Sequence, residues 1–277
     1  MKVMQTQETR VTEIASSVPS MTRLVYLDVA DGVATIRLDH PRRNVIDLRV
    51  AAELHDAALE VGRRDDVRAV VVWGGERIFS AGGDVELMSD RSADTIRPVI
   101  AALAEALVVL EAVPKVVIAA INGICLGGGC EIALAADFRF ASETALLGQP
   151  EIRFGIMPGA GATQRMPRLI GLSAAKDLIY SGRRVKAREA LGMGLVDRLL
   201  PGPSVYAAAL EAAASYAEGP IVAIGAAKAA INAVGGRPPA EDLDLERDLA
   251  CGLFDTEDQK EGMQAFLGSR RPLFKGR

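Results

Sequence analysis

The chain has 277 residues, 49% of them apolar and 25% charged, with a formal net charge of −4. That length can bury a full hydrophobic core as one large domain or two small ones. The slight acidic excess leaves no basic footprint for nucleic acid and no polybasic patch for a membrane surface.

Three cysteines (Cys125, Cys130 and Cys251) stand outside any CxxC or Cys/His cluster, and His40 and His55 are the only histidines. This gives little material for a metal site or for a Ser/His or Cys/His nucleophile, so no metal is expected. The cysteine usage fits a reducing, cytoplasmic setting. The longest apolar stretch, VVIAAINGICLGGGC at 116–130, is too short and too interrupted for a membrane span.

Residues 1–21 carry Lys2, Glu8, Arg10 and Glu13 and lack the continuous apolar core of a signal peptide, so they read as a leader before a domain that starts near Thr22. RLVYLDV (23–29) and GVATIRL (32–38) alternate around Ala30-Asp31-Gly32 and predict a β-hairpin. A helix fits 47–62. VRAVVVW (67–73) is a β-branched run expected of a strand covered on both faces. A glycine-rich loop, GGERIFSAGGDVELM (74–88), precedes a helix over 93–112 that Pro114 closes. KVVIAAI (115–121) predicts the next buried strand and DFRFAS (137–142) another, followed by the loop GQPEIRFGIMPGAGAT (148–163). Helices are expected at 163–170, 173–181, 185–191, 203–218 and 221–234, with two more after Pro239. Thr256 has the position of an N-cap for the last, and the alanines of 207–214 read as helix filler. Strands and helices alternate early and helices dominate late, which predicts an α/β fold with a helical tail.

The segment GICLGGGCEIALAADFRF (123–140) reads as strand, tight loop and helix. Glycines there either permit close packing of helix on sheet or let a ligand approach free amides at a helix start, where an anion would be favoured. A dinucleotide fingerprint and a P-loop are both missing. Glu131 follows Gly128 by three residues, on the same helical face, and the IALAA after it implies burial of its carboxylate. By itself that carboxylate equally suits the helix dipole. Glu151 lies in GQPEIRFGIMPGAG, flanked by residues that do not suit a solvated loop, where a surface pair with Arg153 is an equal alternative to a functional role. FSAGGD (79–84) is a second glycine turn after a buried strand. Together these offer two amide donors and two carboxylates, each at a strand end.

FSAGGD, GICLGGGCEIALAADFRFAS, GQPEIRFGIMPGAGATQRMPRLIG and the tail EDQKEGMQAFLGSRRPLFKGR, in this order, resemble the enoyl-CoA hydratase/isomerase (crotonase) family from about Thr22 to Arg277. The resemblance implies a crotonase spiral of ββα units over 22–202 and a C-terminal helical region, 203–277, that packs across subunits in a homotrimer or hexamer. It implies that the amides of Gly83 and Gly128 hold the thioester oxygen of an acyl-CoA, that Glu131 orients and activates water, that Glu151 protonates Cα, and that the Gly159 amide helps hold the water. Ala81, Gly83, Asp84 and Val85 would run along the adenine and pantetheine. Arg42 and Arg43 would meet phosphates, and Lys275 the 3′-phosphate of a neighbouring subunit's ligand. Coenzyme A is then part of the substrate, and no separate cofactor is implied.

Two glutamates favour hydration of 2-trans-enoyl-CoA to 3-hydroxyacyl-CoA, as in fatty-acid β-oxidation. The alternatives are an enoyl-CoA isomerase or another acyl-CoA lyase of the family, or a non-catalytic acyl-CoA-binding paralogue. The sequence departs from the family pattern at Gly83, where alanine is commoner, at Ala162, where glycine is usual, and in the compressed turn HPRRNVID.

Overall fold

The computed structural model describes residues 23–41, 43–89, 91–233, 252 and 255–277. The leader 1–21, Arg42 and Cys251 lie outside the described residues. The expected hairpin is formed by β1 (Val25–Ala30) and β2 (Val33–Leu38), paired antiparallel with Ala30 opposite Val33. A short β3 (Val45–Ile46) leads into α1 (Leu48–Arg63), whose first turn is capped by Asp47 accepting from the Val50 N–H at 2.8 Å.

The buried run gives β4 (Ala69–Trp73), then β5 (Gly82–Gly83), a one-turn α2 (Val85–Met88) and α3 (Ala93–Ala112), which starts at a Ser92/Thr95 capping box. Next come β6 (Val116–Ile121), β7 (Ile124–Leu126) and α4 (Gly128–Leu134), then β8 (Phe138–Ser142) and β9 (Leu146–Gly148). A single 3₁₀ turn, Glu151–Phe154, precedes α5 (Ala162–Ile170) and α6 (Leu172–Ser181). The segment expected as one helix over 185–191 opens instead as β10 (Arg184–Lys186), with helix α7 only from Ala187–Gly192. Val185 is fully buried opposite Leu147 of β9. Three residues are too few for periodicity to tell strand from helix. The remainder is β11 (Arg198–Leu200), α8 (Val205–Ala217), α9 (Ile221–Ala233) and α10 (Glu257–Leu267). Thr256 Oγ accepts from the Gln259 N–H at 3.1 Å, the N-cap that its sequence position suggests. Of the other helix expected after Pro239, residues 240–250 lie outside the described residues.

The main sheet runs β1-β2-β4-β6-β8-β11, parallel from β2 onward. Each turn of the chain lays one strand in this sheet and the next in a smaller layer: β3 pairs β5 in parallel, and β7 pairs β9, which pairs β10. Ser80 bridges Cys125, joining the two small sheets. The result is a spiral of strand, strand and helix.

Both faces of the main sheet are covered. Val70, Val72, Val117 and Ile121 pack with Leu54 and Val61 of α1 and Leu107 and Leu110 of α3. Val71, Ile118, Ala120 and Phe140 point the other way, against Val205, Ala209, Ala213 and Ala217 of α8. Those alanines, read from sequence as filler, recur every fourth residue and let the helix lie close on the sheet.

One side chain ties the turn before β3 to the loop after β4. Asn44, buried with φ 52°, donates its amide N–H to the Gly74 and Phe79 carbonyls (2.6 and 3.0 Å) and accepts from the His40 N–H at 2.9 Å. Its own carbonyl accepts from the Ser80 hydroxyl at 2.6 Å. Asn44→Ala strands two buried carbonyls in a left-handed backbone, so it should lower unfolding free energy by roughly 2–4 kcal/mol. Urea unfolding monitored by circular dichroism measures this.

Candidate active site

The glycine triplet divides its work residue by residue. Gly127 has φ 53°, and a Cβ on it would stand 2.8 Å from Glu151 Oε1, so its bare Cα is where that carboxylate lies. A Cβ on Gly129 would meet Ser80 Cβ at 2.5 Å and the Ser80 carbonyl at 2.9 Å; this glycine serves packing of α4 on the loop after β4. Gly128 is the first residue of α4, where the helical ladder supplies no acceptor for its N–H. Gly83 lies alongside: a Cβ on neighbouring Gly82 would be 2.7 Å from the Leu126 carbonyl oxygen and 3.4 Å from Gly127 Cα. The backbones of β5 and the α4 start therefore run in contact at the ends of β4 and β6. At Gly83 itself, the space a Cβ would take is used by the Met88 thioether, 2.9 Å away.

Glu131 is 3% exposed, and one oxygen, Oε1, accepts from the backbone N–H groups of Ala160 (2.8 Å) and Ala162 (3.1 Å). Burial pushes its carboxyl above the ordinary range, and those two N–H groups and the Arg165 charge pull it back. Ala162, the departure from the glycine usual there, still supplies its N–H, with its methyl fully buried at the start of α5.

Glu151 is half-buried, at the start of the 3₁₀ turn that follows β9. Burial raises its carboxyl to about 7, its own backbone N–H opposes this, and the nearby Glu131 charge adds to the rise. The fully buried Gln149, its amide nitrogen turned toward the carboxylate, donates to both Glu151 oxygens at 3.1 and 3.2 Å. The surface pair with Arg153 is not formed; the Arg153 stem packs against Gly182, where a Cβ would meet it at 3.0 Å.

The remaining expected residues fall into two groups. Ala81 donates its N–H to the Arg43 carbonyl at 3.1 Å, Asp84 is buried and caps α2 through the Glu86 N–H at 3.1 Å, and Val85 is 49% exposed beside it. Gly159 is exposed and precedes Ala160 in the loop that grips Glu131. Lys275 is elsewhere. Its N–H donates to Asp258 at 2.6 Å, its ammonium faces Glu257 at 3.5 Å, and its carbonyl accepts from Arg68 at 3.0 Å. Arg68 lies just before β4, at the sheet end opposite the 79–84 loop, so within one chain Lys275 is not brought to the glutamates. Residues that sequence reasoning missed are Asn44, Ser80, Gln149, Ala160 and Arg165. Gln149, two residues before Glu151, was the one with a positional signal.

Two carboxyls, Glu131 buried and Glu151 half-buried, beside the glycine backbone of β5 and the start of α4, lie at strand ends of an α/β protein, an arrangement that can carry proton transfer. A family model for enoyl-CoA hydratase/isomerase matches residues 28–277. A Rhizobium meliloti protein named "Probable enoyl-CoA hydratase" is 41% identical over 247 residues, covering 88% of this chain and 95% of that one. The crystal structure of an enoyl-CoA hydratase from Bacillus anthracis superposes with a TM-score of 0.87 at 38% identity, covering 92% of this chain and all of that one. That of Pseudomonas aeruginosa DspI gives 0.87 at 37%, covering 93% and 98%. The chain belongs to the enoyl-CoA hydratase/isomerase family and has the crotonase fold. Among the described residues no helix is long and apolar enough to cross a membrane.

The Glu151 environment makes a stability prediction. Its carboxyl rises from 4.5 to about 7 on folding, so between those values the folded protein binds more protons than the unfolded chain. The ionised group therefore destabilises the fold as pH rises through that window. Glu151→Gln, neutral throughout, should be more stable than wild type by on the order of 1–3 kcal/mol at pH 8 and nearly equal to it at pH 5. Urea midpoints at the two pH values test it.

Proposed function

We propose that the chain hydrates 2-trans-enoyl-CoA thioesters to 3-hydroxyacyl-CoA, the hydration step of fatty-acid β-oxidation. The observation that carries this reading is the unequal pair: Glu131 anchored as an acceptor by two N–H groups, and Glu151 raised to about 7. Ionised Glu131 takes a proton from water as the water oxygen bonds to Cβ. The thioester oxygen gains charge, stabilised by the amides of Gly83 and Gly128. Protonated Glu151 then delivers its proton to Cα, and the enolate collapses to product. Exchange through solvent returns the proton from Glu131 to Glu151. The N–H of the exposed Gly159 helps hold the water.

Coenzyme A enters as part of the substrate, along Ala81, Gly83, Asp84 and Val85, with Arg42 and Arg43 toward its phosphates. Lys275 belongs to the site of a neighbouring subunit in a homotrimer or hexamer, a role its place at the far sheet end fits. Hydration needs neither a redox group nor a metal.

Loss of enoyl-thioester absorbance with crotonyl-CoA measures the activity. Wild type should turn over, and Glu131→Gln and Glu151→Gln should each lose about 10²–10⁴-fold in kcat. Inactivity on short, medium and long 2-enoyl-CoAs, together with isomerisation of a 3-enoyl-CoA, would replace hydratase with isomerase.

The pH profile gives a second test. Because Glu151 must be protonated, kcat/KM should fall as pH rises through about 7, with the acid limb set by Glu131. The residual activity of Glu151→Gln should lack the alkaline limb.

A further inference from the structure

The loop that grips Glu131 is itself gripped by a charged pair that the proposed reaction does not use. The Ala160 N–H donates to Glu131 Oε1 at 2.8 Å, and the Ala160 carbonyl accepts from Arg165 Nη1 at 3.0 Å. Arg165, on α5, also donates through Nε and Nη2 to one oxygen of Glu111 on α3, at 3.1 and 2.7 Å. The guanidinium is 10% exposed and the Glu111 carboxylate 34%. Between the two N–H donors stands Gly161, with φ 116°, and a Cβ there would collide with Arg165 Nη1. The turn therefore folds around the guanidinium. Through two backbone bonds of one residue, made by the successive peptide groups on either side of the Ala160 Cα, a cation and a buried carboxylate are mechanically linked.

We propose that Arg165 and Glu111 form a positioning pair for Glu131: Arg165 presents the Ala160 N–H to the carboxylate and sets the positive charge it faces, while Glu111 determines how much of that charge is left. The inference rests on Glu131 being the group that activates water. The other titratable groups of α4 and of α3 packed on it are the buried Cys130, next to Glu131, and the exposed Asp94, Arg97 and Glu105. Glu151 is a like charge from the 3₁₀ turn. The strands β3 and β5 bring Val45, Ile46, Gly82 and Gly83, none titratable. The one titratable group of β7, Cys125, turns its thiol to the Gly129 carbonyl at 3.6 Å. Arg168, the other cation of α5, is exposed. Among the described residues Arg165 is the cation whose charge holds the Glu131 carboxyl down, and Glu111 is its ion-pair partner.

A merely structural pair and a charge-setting pair give different results. In a structural role, Arg165→Gln and Glu111→Gln loosen the same loop and act in the same direction. In the proposed role they oppose each other: loss of the cation raises the Glu131 titration midpoint by about 0.5–1 pH unit, and loss of the anion lowers it by a similar amount. The midpoint is read on the full chain, without substrate, from the infrared carboxylate bands of each variant minus those of the same variant carrying Glu131→Gln. The acid limb of kcat/KM for crotonyl-CoA should move with it. Should Arg165→Gln fail to fold, Arg165→Lys and Glu111→Gln carry the test. The lysine keeps the charge but loses the fork, so kcat should fall by roughly tenfold with the midpoint little changed, while Glu111→Gln still shifts downward. Shifts of the same sign, or none while only thermal stability changes, overturn the proposal. Full hydration by Glu131→Gln would instead overturn the reading of Glu131 as the base, leaving the infrared shifts to decide the pair.

Discussion

The site depends on one hydrogen-bonded arrangement: a buried glutamate whose single oxygen receives two backbone N–H groups from a loop about thirty residues later in the chain. A carboxylate at Glu131's depth would be driven toward its neutral form by desolvation alone. The amides of Ala160 and Ala162 oppose that, and they can do so only because Gly161 bends the loop while Arg165 and Glu111 fix its outer side. The chain beneath is equally constrained. Ser80 accepts from Leu126, donates to Asn44 and fills the space that Gly129 leaves, so the two glycine segments cannot separate without losing buried hydrogen bonds.

This construction gives two chemically identical side chains different behaviour. Glu131 has strong fixed donors and a nearby cation. Glu151 has burial and the Glu131 charge against its ionised form, and the Gln149 amide donors only partly offset them. A carboxyl poised near neutrality beside one anchored as an acceptor is the arrangement that acid–base chemistry at neutral pH requires. The spiral brings it about by placing β5, β7 and β9 of the smaller layer side by side, because each turn of the chain adds one strand to each layer.

Much of this was legible in the sequence where a single segment carried the signal. The hairpin, the buried runs of β4 and β6, the span of α3 and the Thr256 cap all follow from local periodicity and capping chemistry. The strand β10 was not, since three residues show no period, and its pairing with β9 is what makes it a strand. The alanines of α8 looked like filler because their burial comes from β4, β6 and β8, strands that end more than 60 residues earlier in sequence.

The sequence by itself determined the elements, the order of the glycine blocks and the identity of both glutamates, because these are written in short stretches whose meaning is local. Only the tertiary structure decided what each glycine is for and what each carboxyl experiences. Gly127 makes room for a carboxylate and Gly129 for a serine, although the two are the same residue type only two positions apart. Proton affinity is likewise a property of burial and neighbours: Ala160, Arg165 and Gln149 reach the glutamates from elsewhere on the chain, and their effect exists only once the fold has brought them within hydrogen-bond distance.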